Sequence, residues 1–396
     1  RSKLIKSPLS PYLDEVFQEY FGFERTEFFV PHMMQPHTID GEYISPYNIA
    51  LRKLDNTPPV LDADVLNRVV DELVDHILTG LRERGVNSLS PVSLELACKG
   101  VPEDAYSARL NLSASAGFGF PGVKRDCFNL DSALFDPNDD LVIKVRERLC
   151  AYDDGEQVPI MFTAQLKDEP RLVEKAESGK TRVFYMAPID FLITSNMFLG
   201  PVYSLLVEHR DIFCAAVGCD IFTDVESLFI PLKEFSTTFV EFDYSGYDVR
   251  NPFQIGEAAS AVVYELAKGL GYNDDALNYT HRLLVDLLYP YINMNNDVFM
   301  KQGMQPSGKG GTAEDNSLRG LIMLMYAFYK MPESQGKYFF DEILPRVYGD
   351  DVAAGVKERS ITFFNNFIYR DFCKENYDMD ITPATKGDAF VKSLSF

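Results

Sequence analysis

Two adjacent aspartates inside a stretch that otherwise suits burial constrain this chain more than any other feature. Residues 344–356 read LPRVYGDDVAAGV: an apolar run to Tyr348, the turn-formers Gly349, Asp350 and Asp351, then small apolar residues from Val352 to Val356. The pattern predicts a β-hairpin cornering at Gly-Asp. Its strands are apolar enough for a core, so carboxylates at the tip carry a desolvation cost that a cation would offset. A solvated turn is the plain alternative, because Asp and Gly are ordinary there. The stretch gains weight only from what matches it elsewhere.

At 396 residues, 46% apolar with 30 Phe and no Trp, the chain can bury a large core over two or three subdomains. No apolar run reaches the roughly eighteen residues of a membrane span, and the opening RSKLIKSPLSPYL lacks a signal core. The six cysteines show no CxxC pair, which predicts free buried thiols in a reducing compartment rather than zinc ligands. The net charge of −21 opposes nucleic-acid binding, since phosphate contact favours basic surfaces. An acidic binder must confine its cations to one channel.

Residues 1–60 lack periodicity and predict extended, packed loops. Residues 62–84 predict a helix, with Val65, Leu66, Val69, Val70, Leu73, Ile77 and Leu81 at helical spacing and Gly85 as the stop. Residues 110–126 form a Gly/Ser/Ala loop, either a close backbone approach or a plain tight turn. Strand-like ends bracket a charged middle in 161–184, and a strand at 238–242 leads into Asp243. Helices are predicted at 252–267, 274–288, 312–330 (Thr312 as cap, Asp315 completing a capping box) and 361–374, with a hairpin turning at Asn295-Asn296. Mostly hairpin-linked strands among helices argue α+β with an antiparallel central sheet. FVKSLSF at 390–396 reads as a strand without a polar tail, which predicts a chain cut inside an element.

Three constellations carry chemistry. In VEFDYSGYDVRN (240–251), Asp243 sits at a strand end and Asp248 five residues on. A strand-end carboxylate beside a two-carboxylate hairpin suits two divalent ions roughly 3.5–4 Å apart; helix capping is the alternative. In QGMQPSGKGGTAEDNSLRG (302–320), Ser307, Gly308 and the following glycines lead into a helix start suited to a sugar-phosphate, and Thr312 and Asn316 share one face. Residues 303–309 fit GxxxxGK, but Gly310 stands where a P-loop needs Ser or Thr, and Gly179-Lys180-Thr181 lacks the leading Gly. In 165–184, Lys167, Arg171, Lys175, Lys180 and Arg182 form a cation ladder interleaved with acids: a nucleotide path or a self-neutralising hairpin.

Together these stretches resemble the RNA-dependent RNA polymerases of positive-strand picorna-like viruses, nearest to insect iflavirus and dicistrovirus types. The order matches: KDEPR…K…GKTR, FDYSGYD, SGKGGT…N, then YGDD, with LSASAGFGF (112–120) like the finger loop and ITPATKG (381–387) like the strand after the fourth palm motif. The resemblance implies a right-hand fold: fingers at 1–198, palm at 199–272, a fingers insertion at 273–302, palm again at 303–396, and no thumb.

It further implies that Asp243 and Asp350, supported by Asp351, hold two magnesium ions, with manganese as a substitute. Asp248 and Asn316, with Ser307, Gly308 and Thr312, would read the ribose 2′-hydroxyl, where reverse transcriptases place a bulky aromatic instead of Asp248. Lys167, Arg171, Lys175, Lys180 and Arg182 would meet the triphosphate, and Lys374 would donate the proton, one residue out of the family register. Gln305 is one residue more than the family loop holds. Implied partners are template and primer RNA, nucleoside triphosphates, a viral protein primer and other replication proteins, in membrane-associated complexes of the host cytoplasm. An inactive fingers-palm fragment that only binds RNA and a P-loop NTPase are the alternatives.

Overall fold

The structure is a computed structural model that describes residues 3–395 apart from 5–6, 23–28, 103, 105–106, 130–135, 221, 384–388 and 390. Asp62 opens helix α1 (Ala63–Glu83) by accepting from the Asp64 and Val65 amides. Leu66, Val69, Leu73, Ile77 and Leu81 line its buried face as the periodicity predicts. Gly85, at φ 81°, ends it: the amides of Gly85 and Val86 return to the Arg82 and Leu81 carbonyls.

Helix α2 (Asp139–Asp153) precedes strands β1 (Met161–Leu166) and β2 (Val183–Met186), then helices α3 (Ile189–Phe198) and α4 (Gly200–Glu208). Strand β3 (Thr238–Tyr244) leads to α5 (Phe253–Gly269), α6 (Asp274–Leu288) and the hairpin β4 (Tyr291–Met294) and β5 (Asp297–Met300). Asn295 and Asn296 both take positive φ at its two-residue turn, the conformation that this dipeptide tolerates best. Helix α7 (Thr312–Lys330) is followed by the hairpin β6 (Ile343–Tyr348) and β7 (Asp351–Val356), helix α8 (Asn366–Tyr377), and short strands β8 (Ile381–Thr382) and β9 (Leu394–Ser395).

Two sheets organise these elements. The central one runs β6-β7-β3 and is antiparallel throughout, with β8 and β9 both on the far edge of β3. Between those two short strands, the Glu241 N–H donates to Asn366 Oδ1 at 3.2 Å. The second sheet runs β5-β4-β1-β2. Helix α7, buried from Asp315 to Phe328, packs against α1, α5 and β6 and joins the sheet to the helical layer. Its Phe328 meets Tyr329, Phe339, Phe363 and Phe364.

Several expectations need correction. Residues 1–60 hold helices Ser10–Phe21 and Pro46–Arg52, the latter capped by Ser45 and opened by a proline preset for helix. The β1–β4 pair is parallel, because the chain returns to β1 through α3–α6 rather than through a hairpin. Strand β3 continues to Tyr244, so Asp243 lies within it. The last long helix starts at Asn366, not 361: residues 360–364 form turns, and the Asn365 side chain caps the Phe367 and Ile368 amides. Helix α7 is capped by Gly311, with Thr312 already inside, and Asp315 turns into the core instead of closing a capping box. All six cysteines are free thiols, but Cys150 is exposed and Cys219 half-buried. Of 390–396, Leu394 and Ser395 form a strand, while Phe390 and Phe396 lie outside the described residues, as does 384–387 of the ITPATKG stretch. Among the described residues, no single helix is long and apolar enough to cross a membrane.

Candidate active site

The tip of the β6–β7 hairpin is a two-residue turn, closed by the facing pair Tyr348 and Asp351. Gly349, at φ 61°, takes the first central position, as a type II′ turn requires. Its N–H donates to Ser317 Oγ at 3.0 Å, fastening the turn to α7. Strand β7 sets Asp351 directly opposite Asp243 on β3. Facing residues of an antiparallel pair have Cα atoms about 4.5–5.5 Å apart and side chains on one face. The Asp350 carbonyl accepts from the Tyr244 N–H at 3.3 Å, so the turn is tied to β3 as well. Burial, then the charges of Asp243, Asp351 and Asp248, push the Asp350 carboxyl up to about 6.

Beyond β3, Gly246 at φ 69° opens the short helix Tyr247–Arg250. Asp248 there accepts from Asn316 Nδ2 at 2.8 Å, across to α7. The Asn316 Oδ1 is buried with no hydrogen-bond partner, an acceptor facing a cost unless a donor arrives. Burial raises the Asp248 carboxyl, opposed by Asn316 and by Arg319. Ser307 Oγ accepts from the Tyr185 N–H at 3.3 Å, and the Thr312 hydroxyl donates to the Ser307 carbonyl at 3.0 Å. The Ser307 hydroxyl therefore holds the loop against β2, and the Thr312 hydroxyl ties it to the start of α7. A Cβ on Gly308 would collide with the Tyr185 carbonyl oxygen, which explains a glycine there.

The cation ladder meets both descriptions in part. Glu169 gathers Lys167 at 3.0 Å, Arg171 at 3.3 Å and Arg182 at 3.9 Å. Yet Lys167 and Arg182 also line a cavity of about 280 Å³ whose walls include Asp248, Ser307 and Asp350. Lys53 lines it too, its ammonium pKa lowered by burial and by Lys180, Arg171 and Arg182. Sequence reasoning missed Lys53, because it follows a helix in a stretch without periodicity. Lys175 and Lys180 are exposed, and neither they nor Arg171 line the cavity. Lys374 does not line the cavity either, its Nζ lying 3.0 Å from Asp380 Oδ1. Both P-loop near-matches dissolve: Lys309 is buried on Asp315, and the Thr181 hydroxyl is buried on the Met33 carbonyl.

Among the described residues, no three His, Cys, Asp or Glu side chains form a ready-made metal cage. Magnesium seldom uses one, taking one or two carboxylates plus waters and substrate phosphates. Desolvation first, and the charges of Asp243, Asp351 and Asp248 after it, raise the Asp350 carboxyl, and a divalent cation would relieve the charge part of that cost. Asp243, Asp350 and Asp351 thus fit the donor chemistry of a hard cation.

Opposed strand carboxylates, a polar pair on the neighbouring helix and a cation-lined cavity sit together in one mixed α/β scaffold of the polymerase type. Residues 70–389 match the family model for viral RNA-dependent RNA polymerase, and the chain belongs to that family. It is 29% identical over 276 residues to the genome polyprotein of Human parechovirus 2 (strain Williamson), covering 68% of this chain and 11% of that one. To the replicase polyprotein of Cricket paralysis virus it is 24% identical over 370 residues, covering 87% and 21%. Its fold matches the sicinivirus 3Dpol RNA-dependent RNA polymerase with a TM-score of 0.80 at 20% identity, over 100% of this chain and 76% of that one. The chain spans a tenth to a fifth of these viral polyproteins.

Proposed function

We propose that this chain carries out RNA-templated RNA synthesis, extending a primer with nucleoside triphosphates for a positive-strand RNA virus. The observation that carries the reading is Asp351 facing Asp243, with Asp350 tied to the same strand and its acidity weakened by desolvation and then by those neighbours. Two divalent ions, when bound, supply an activated primer 3′-oxygen and neutralise charge at the departing pyrophosphate. Asp243 and Asp350 would hold them, with Asp351 in support. Lys53, Lys167 and Arg182 draw the triphosphate into the cavity. Asp248 and the free acceptor of Asn316 receive the ribose 2′-hydroxyl, while Ser307 and Thr312 hold the loop that frames it. A proton-donating role for Lys374 requires it to leave Asp380. Synthesis takes place in replication complexes of the host cytoplasm.

Primer extension on an RNA template, with magnesium or manganese, tests this. Asp350→Asn should lower incorporation at least about 100-fold, the scale of one lost electrostatic contact to a developing charge, with circular dichroism unchanged. Near-normal incorporation by that variant sinks the reading. RNA retention with no extension by the unvaried chain would instead mark a chain that binds RNA without turnover.

A further inference from the structure

Behind the Gly-rich loop, one buried carboxylate oxygen collects three donors. Asp315 Oδ2 accepts from Lys309 Nζ at 2.6 Å, from Arg319 Nε at 3.2 Å and from the Gln305 side-chain amide. All four side chains are buried. Arg319 also donates from Nη1 to the Gly303 carbonyl at 2.8 Å. The loop is therefore pinned to α7 at its start, at 305 and at 309, on both sides of Ser307.

The pinning converges on the polar pair of the cavity. Asn316 follows Asp315 directly, and the Gln305 N–H donates to the Asp248 carbonyl at 2.8 Å. Each member of the pair is thus one covalent step or one hydrogen bond from the cluster. Lys309 is enclosed and faces its own acid, so it cannot serve a phosphate. Buried ion networks of this kind stabilise little compared with apolar packing of equal volume. Two cations and an acid in this core call for a geometric role.

We propose that Asp315, Lys309, Arg319 and Gln305 are positioning residues that set the Asp248–Asn316 pair to favour ribonucleotides over 2′-deoxyribonucleotides. The proposal rests on the reading of that pair as the element that receives the 2′-hydroxyl. None of the four lines the cavity. They fix the spacing at which the carboxylate and the amide oxygen await a hydroxyl.

Calorimetric titration of the full chain with ATP and 2′-dATP, in manganese, tests it. The unvaried chain should prefer ATP by about 10-fold, the value of one or two hydrogen bonds. Lys309→Met and Gln305→Leu should bring that ratio towards one while the Kd for 2′-dATP moves less than about 2-fold. Lys309→Arg, which keeps the charge, should restore it. A merely structural role would weaken both nucleotides alike, in step with lost thermal stability. If Lys309→Met fails to fold, Gln305→Leu carries the test, since it leaves both ion pairs in place. A ratio unchanged in the folded variants overturns the proposal. Asp248→Ala separates the layers: if it loses the preference and the cluster variants keep it, only the positioning role fails. If Asp248→Ala keeps the preference, or the unvaried chain shows none, the sugar-reading assignment fails and the positioning role with it.

Discussion

Replacing Asp350 with Asn should make the metal-free chain more stable while removing the activity proposed for it. Folding raises the Asp350 carboxyl from 3.8 to about 6, through burial first and then through Asp243, Asp351 and Asp248. A group raised by folding contributes its full stability below its unfolded pKa and loses it as pH climbs through the folded one. Here that loss runs between 3.8 and about 6, so at neutral pH the whole ionisation penalty is present. The rise corresponds to at most roughly 3 kcal/mol. Asp350 is exposed at its turn, and solvent screening reduces the realised penalty to about 1 kcal/mol. Asn keeps the shape and cannot ionise. Urea unfolding in EDTA at pH 7.5 should therefore show the variant more stable by about 1 kcal/mol with an unchanged slope, and the gain should vanish near pH 4. Millimolar manganese should reverse the order, because only the unvaried chain gains from ligation. A variant less stable than its parent at pH 7.5 in EDTA, or a gain that persists at pH 4, refutes the reasoning.

Arg182→Ala should weaken triphosphate binding about 10-fold and flatten its salt dependence, as followed by titration at rising ionic strength. Gly308→Ala should displace the loop from the Tyr185 carbonyl, lowering the melting temperature and abolishing nucleotide-induced stabilisation in thermal scans. Phe328→Ala, in the aromatic cluster under α7, should cost about 3–5 kcal/mol in urea unfolding.

Where a local rule and the tertiary environment agree, the chain was readable. Helix α1 has an acidic cap, an unbroken apolar stripe and a glycine stop, and it forms within a residue of its predicted limits. Asn295-Asn296 and Gly349 mark their turns through a backbone preference that the sequence carries locally. The carboxylates at 243, 350 and 351 could be placed on a strand and a hairpin tip from sequence because both are local features. Their register, Asp351 against Asp243, is tertiary, and only the fold supplies it. Asp315 shows the opposite case: its spacing after Thr312 mimics a cap, but two buried cations outbid a backbone amide for its charge. Lys53 had no signal, because its place in the cavity depends on how the Pro46–Arg52 helix docks. Lys374, one residue out of the family register in sequence, pairs with Asp380 in the fold.

The outer margin of β3 is occupied along its length by three different means: β9 at one end, β8 at the other, and the amide of Asn366 where neither reaches. Such a margin offers no row of vacant main-chain groups to a visiting strand. A strand arriving at this flank therefore cannot pair with β3 itself and would meet only the two short strands that cover it.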